Sequence, residues 1–385
     1  MDLPQAALNE AGTTLPLAAL TRGGPRSVPA TAALIGANVG VFALMLAFGA
    51  GLWHAPSDVQ LAWGANFGPA TQDGAWWRLF TAMFLHFGLL HLAMNMWALW
   101  DAGRLVERLI GPARYAAVYL GSGLAGNALS LVVQGNDAVS GGASGAIFGV
   151  YGALLVTLVR ERRRFDAHEF RWLFGAALAF TAATLLLGLN VRGIDNAAHA
   201  GGLAAGALLG VALRRPLAPD GTAGPGRERA LAAAALAAGL LALAANLPAP
   251  RYRYGEELAA REAIRAFVAE ERTRDARWRT ILHQAEGQSF EALAGRIDED
   301  IAGGYADSFE ELSALKLDPG APSAAVLQQL RRYAQQRGEA SHALAEALRR
   351  GDEAAARQAL KALREASENT RQAASAAPLA RPEPR

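Results

Sequence analysis

What most constrains this chain is a succession of apolar runs filling residues 31–214, with one more at 229–247. A helix needs about 20 predominantly apolar residues to cross a bilayer, and several of these runs reach that length. The chain therefore reads as an all-α polytopic membrane protein. Spans are predicted over 31–52, 89–105, 115–133, 144–159, 172–189 and 197–213, forming a six-helix core at 31–214. A seventh, Ala/Leu-rich span is predicted at 229–247. Around these lie a polar N-terminal tail (1–30), a Pro/Gly linker (215–228), a soluble helical bundle (251–373) and a disordered Ala/Pro-rich end (374–385). The net charge of +2 gives nucleic-acid binding no electrostatic basis. With no cysteine, disulfides and thiolate metal sites are ruled out. No basic stretch followed by a short apolar core opens the chain, so no signal peptide is expected.

Orientation follows from the arginines. The N-terminal tail and loops 104–114, 160–171 and 214–229 are basic, with the dense Arg160-Glu161-Arg162-Arg163-Arg164 among them. They alternate with the poorly charged stretches 53–87, 134–143 and 190–196. The basic loops and the N-terminus are thus expected in the cytoplasm. With seven spans the C-terminal domain falls outside; if 230–247 does not cross, it is cytoplasmic. Arg251 and Arg253 on the outer side are a mild exception. The connection 53–87 is too apolar for an ordinary loop and holds Trp53, Trp63, Trp76 and Trp77, half the tryptophans. It reads as lying in the membrane interface or as packed on the protein's own helices, and the two are compatible.

This topology brings spans 2, 4 and 6 in from the same side, each with polar residues near its start. They are His91 and Asn95, then Ser144, then Asp195, Asn196 and His199. Histidine inside a span is costly and usually functional. A lone serine in a membrane helix usually bonds its own carbonyls; three polar clusters at matching depth point to chemistry. Ser144 is the candidate nucleophile and His199 its candidate base. At the start of a helix, Ser144 has unpaired N–H groups and a positive dipole end that can hold an oxyanion. His91 and Asn95, at i and i+4, share a face and can add donors. Gly145 and Gly149 in span 4, and Gly202, Gly206 and Gly210 in span 6, sit at four-residue spacing that lets membrane helices pack backbone to backbone. Phe148, one turn after Ser144, either packs on the His199 ring or is another core aromatic.

With these residues in place, the chain resembles the rhomboid family of intramembrane serine proteases. The resemblance is carried by His91-x-x-x-Asn95, Gly142-Ala143-Ser144-Gly145 and His199-Ala200-Gly201-Gly202, with Trp77-Arg78 and Gly103-x-x-x-Glu107 beside them. It covers roughly 31–214. It implies a bacterial serine endopeptidase with a Ser144–His199 dyad and an oxyanion hole made by His91, Asn95 and the Ser144 N–H. Gly142, Gly145, Phe148 and Gly202 are expected to support the site, Phe148 standing where many relatives have tyrosine. The resemblance implies single-span membrane proteins as substrates, cut at or near the outer face of the inner membrane, and no metal or cofactor.

Other readings are weaker. Asp195, four residues before His199, reads as the cap of span 6 rather than the third member of a triad. His86 and His91, five apart, do not share a helix face as a HExxH zinc site requires; His86 is expected at the interface, with a supporting role as the alternative. Ala146 breaks the Gly-x-Ser-x-Gly elbow of soluble hydrolases. A rhomboid-like scaffold that has lost its dyad is disfavoured because Ser144 and His199 are both present. A transporter is disfavoured because no charged residue lies mid-span in a way that suggests an ion pathway. The tail at 251–373 has apolar residues at three- and four-residue spacing in 258–268, 326–333 and 344–363, with breaks at Asp318-Pro319-Gly320 and Arg350-Gly351-Asp352. Three or four helices are expected. Substrate recruitment, partner binding, self-association and a plain solvated bundle all remain open for it.

Overall fold

A computed structural model describes residues 27–191, 193–213 and 226–376, which form two compact units divided between Pro250 and Arg251. Most of the expected N-terminal tail, most of the linker and the end from 377 lie outside these residues. No strand occurs among the described residues; a single antiparallel bridge pairs Asn66 with Ser140.

The first unit is helical at each position predicted for a span. Its long helices are α1 (Pro29–Ala47), α5 (Leu89–Ile110), α6 (Pro112–Gln134), α7 (Ser144–Arg160), α8 (Ala167–Asn190), α9 (Asn196–Ala212) and α10 (Gly226–Ala245). The last of these begins three residues inside the predicted linker. Between α1 and α5 the apolar connection folds into short helices α2 (Ser57–Ala62), α3 (Gly68–Gln72) and α4 (Arg78–Thr81), with a 3-10 turn at Ala82–Phe84. Among the described residues, four helices are long and apolar enough to cross a membrane on their own: α1, α6, α8 and α10. A fifth is counted if the segment 78–84 and α5, bent at 91°, form one broken span. α7 and α9 have only 17 residues each, about 25 Å of helix.

These two short helices are the centre of the unit. α9 lies against α7 along its glycines: a Cβ on Gly202 would run into the Gly145 carbonyl, and one on Gly206 into the backbone of Gly149. On its other side α9 meets α6, where a Cβ on Gly126 would lie 2.6 Å from the Ala198 carbonyl oxygen. Small residues replace side-chain interdigitation by backbone approach, the packing that lipid-immersed helices use. Around this seam Leu99, Val106, Ile110, Tyr115, Tyr119, Ile147, Val150 and Leu158 are buried. The outward faces stay apolar: Leu90 on α5, Trp172 and Leu189 on α8 and Leu241 on α10 are exposed. Such a surface suits lipid rather than water. In the 48–88 connection Trp53, Trp76 and Trp77 are also exposed, while Arg78 is buried and donates to the Leu61 and Ala65 carbonyls at 2.7 and 3.2 Å. The connection thus packs on the unit and still presents tryptophan outward.

The start of α1 is capped from a distance. Buried Glu107 accepts from the Ala30 and Thr31 amides at 2.9 and 2.7 Å and from the Thr31 hydroxyl at 2.7 Å. It satisfies donors that a helix N-terminus leaves open.

The second unit comprises α11 (Tyr254–His283), α12 (Phe290–Ile297), a π-helical turn (Asp298–Gly303) running into α13 (Gly304–Ala314), α14 (Ala324–Arg350) and α15 (Glu353–Ala376). Counting 290–314 as one helix with a π turn inside it, the described residues of this unit hold four. Their core includes Phe267, Ile281, Ile297, Ile301, Leu312, Leu327 and Leu344. A polar knot lies within it: Glu271 accepts from the Tyr305 hydroxyl at 2.7 Å and from that of Tyr333. Burial pushes the Tyr333 phenol up to about 12, and Tyr305 rises further, so both remain donors.

Candidate active site

Ser144 is the first residue of α7. The loop before it is fixed at Gly142, whose N–H donates to the Ala82 carbonyl at 2.8 Å. Gly142 has φ +147°, a backbone that side chains rarely adopt, and a Cβ there would lie 2.9 Å from the His91 ring. Glycine is thus required at this position twice over. The Ser144 hydroxyl and the His91 imidazole flank that same point, at 3.7 and 2.9 Å. The structure therefore brings the start of α5 and the start of α7 together around Gly142.

The third element is α9. Ala198 sits over Gly145, where an added Cβ would be 3.2 Å from the Ala198 carbonyl oxygen. The next residue, His199, is buried, and its ring lies flat on Phe148 with centroids 4.3 Å apart and planes 2° from parallel. Of the two readings of Phe148, the structure has it packed on the His199 ring. Ser144 Oγ and His199 are not hydrogen-bonded as they stand; catalytic hydrogen bonds often tighten only with substrate in place. Asn95 is buried, with its Nδ2 donating to the His91 carbonyl at 3.1 Å. Its amide is therefore turned onto its own helix.

Asp195 caps α9. Its Oδ1 accepts from the Ala198 N–H at 2.9 Å and from Gln134 Nε2 at 2.9 Å. Its Oδ2 accepts from Ser130 Oγ at 2.5 Å and Ser140 Oγ at 2.6 Å. Four donors occupy both oxygens, while His199 Nδ1 is buried without a partner. Asp195 thus ties α6, the loop before Ser144 and α9 into one frame and does not orient the histidine.

His86 differs from the expectation of an interfacial residue. It is wholly buried, and its ring meets that of His91 edge-on at 5.0 Å. His86 reaches His91 from the segment before α5 rather than from the helix itself. Its carbonyl accepts from Gln60 Nε2 at 2.8 Å, which holds the segment in place. Among the described residues no group of three His, Asp or Glu side chains converges as a metal site. Phe180 on α8 was not foreseen: it stacks on Tyr151 at 4.5 Å and reaches Phe148 and Trp97 at 6.3 and 6.2 Å. An aromatic residue in an apolar helix carries no signal by which it could have been singled out.

Comparison with known proteins bears on this arrangement. The Rhomboid domain family model matches residues 73–216, which include α4 to α9. GluP, a rhomboid protease of Bacillus subtilis, is 38% identical over 185 residues, covering 48% of this chain and 35% of GluP. YdcA of the same organism, a candidate rhomboid protease, is 36% identical over 177 residues, covering 44% of this chain and 86% of YdcA. RHOMBOID-like protein 5 of Arabidopsis thaliana is 38% identical over 150 residues, covering 38% of this chain and 47% of that protein. The chain thus spans about a third of GluP, under half of the Arabidopsis protein and most of YdcA. The second unit lies beyond the matched domain. By the extent of its match to YdcA and by the domain at 73–216, the chain belongs to the rhomboid family.

Proposed function

We propose that the chain is an intramembrane serine endopeptidase that cleaves single-span membrane proteins at or near the outer face of a bacterial inner membrane. The observation that carries this reading is the meeting of three helix starts: Ser144 opening α7, His91 in the first turn of α5, and His199 stacked on Phe148 where α9 crosses α7. In this reading Ser144 Oγ adds to the scissile carbonyl carbon as its proton passes to His199. The oxyanion is met by the Ser144 N–H, the His91 ring and the Asn95 amide, which turns from the His91 carbonyl to do so. His199 then gives its proton to the leaving amine, and water hydrolyses the Ser144 ester by the same route in reverse. The chemistry requires no metal or cofactor.

The short α7 suits this role. Its 17 residues cover about 25 Å, against about 30 Å of hydrocarbon. With Arg160–Arg164 at the cytoplasmic interface, Ser144 lies a few ångströms below the outer one. The N-terminus is then cytoplasmic, and the second unit lies outside, in the periplasm, on the side where a substrate's extramembrane part stands.

The test is cleavage of a generic single-span substrate by the purified protein in liposomes, beside Ser144→Ala and His199→Ala. Wild type should cleave and both variants should lose at least about a thousandfold in rate, the scale on which triad members act. Equal cleavage by all three would place the site elsewhere. A folded wild type that cleaves nothing and takes no fluorophosphonate on Ser144 would refute the activity.

A further inference from the structure

The segment after α10 is bound to the two loops that frame Ser144. Gln72 Nε2, at the end of α3, donates to the Pro248 carbonyl at 3.1 Å. Asn136 Nδ2, in the loop that leads to Ser144, donates to the Ala249 carbonyl at 3.0 Å. The same two loops are joined directly by the reciprocal Asn66–Ser140 backbone bonds at 2.9 and 2.8 Å, and by the Gly68 N–H on the Gly135 carbonyl at 2.5 Å. In Leu247-Pro248-Ala249-Pro250 two prolines fix φ and keep the chain from continuing as helix. The result is a non-helical piece whose Pro248 and Ala249 carbonyls are left to side-chain donors. α10 packs on α6 and α9, whereas α8 rests on α7 and α9. The segment therefore braces the α6 side of the site.

We propose that residues 246–250 are a strap, and that Gln72 and Asn136 are positioning residues which, through it, hold the Ser144 loop in register. The proposal rests on Ser144 being the nucleophile. Between Gln134 and Ser140, which Asp195 anchors, the loop has no helix of its own. The Asn136 amide fixes its middle to the strap. Release of that bond lets the loop move while leaving the seam between α7 and α9 intact. Small displacements of a nucleophile act on turnover more than on binding. The seventh helix is thus part of the working site.

The experiment uses the full chain and two readouts: turnover of a single-span substrate and the rate at which a fluorophosphonate labels Ser144. Gln72→Ala/Asn136→Ala should lower kcat and the labelling rate about fivefold to tenfold with KM within about twofold, the scale of two modest hydrogen bonds. Because the chain has no cysteine, Asn136→Cys/Ala249→Cys added to Gln72→Ala gives a unique pair. Uncoupled, it should be as slow as the alanine variant; joined by a short bismaleimide, it should return to within about twofold of wild type, which a general loss of folding would not allow. Wild-type kcat and labelling in the alanine variant, or no recovery on coupling, overturns the strap alone. Absence of labelling at Ser144 in wild type overturns the nucleophile assignment and the strap with it.

Discussion

At the scale of single residues, the proposed site divides into groups that already face Ser144 and groups that would have to turn toward it. The His91 ring flanks the same point beside Gly142 as the Ser144 hydroxyl, and the buried His86 ring packed against its edge limits its freedom. Asn95, by contrast, spends its amide on the His91 carbonyl at 3.1 Å, so its help to an oxyanion costs an existing bond. The two substitutions should therefore differ. His91→Ala should lower kcat about a hundredfold, near the usual loss of one oxyanion donor, and Asn95→Ala about tenfold or less. Both are read as initial rates on one single-span substrate, with Ser144 labelling to report the nucleophile separately. Equal losses would mean that Asn95 is already released from its helix when substrate is bound. The one-turn offset of Phe148 from Ser144 left its pairing with His199 open beside a plain core role, and the structure has the pairing. His86 was not legible, because its place depends on the bend before α5, which leaves no mark in the local pattern.

At the scale of elements, what could be read from the sequence was what repeats. Apolar runs gave the helices, and the four-residue glycine spacing gave the seam between α7 and α9. Asp195, one residue before α9, was legible as a cap, though not as the acceptor of three further donors from α6 and the Ser144 loop. The connection 53–87 was legible as apolar, and as interfacial or packed on the protein's own helices, but not as helical. Its three short helices lack the length to show a period, and the bonds that hold it to α6 and to loop 134–143 join residues 48 or more positions apart. The π turn at 298–303 likewise leaves the apolar spacing around it intact. The glycine seam permits a direct test. A Cβ on Gly206 meets the backbone of Gly149, which has no side chain to move aside, whereas one on Gly239 in α10 meets nothing within 4 Å. Gly206→Ala should therefore destabilise the detergent-solubilised protein by about 1–3 kcal/mol, the range for overpacking. Gly239→Ala should leave the thermal midpoint unchanged or slightly raised, by the helix propensity of alanine. If both variants melt with wild type, α7 and α9 are not in backbone contact in the membrane protein.

At the scale of the whole molecule, the question is where α10 takes the chain. Near its start Glu228 pairs with Arg160 at 2.8 Å, at the last residue of α7. Beyond its end the Pro248 and Ala249 carbonyls meet Gln72 and Asn136, on the loops at the Ser144 end of α7. α10 thus runs antiparallel to α7 from one end to the other, and its 20 residues, about 30 Å, match a hydrocarbon core. The packing predicts that the chain emerges at residue 250 on the same side as the active-site loops. Single cysteines placed in the cysteine-free chain at exposed Asp137, Arg163 and Glu286 should sort into two groups with a membrane-impermeant maleimide in intact cells. Asp137→Cys and Glu286→Cys should label together from outside, and Arg163→Cys only after the membrane is opened. Labelling of Glu286→Cys with Arg163→Cys instead would mean that α10 does not cross. The two hydrogen bonds at its far end could not then form in the membrane, because the ends of one helix cannot lie on one face while touching both ends of α7.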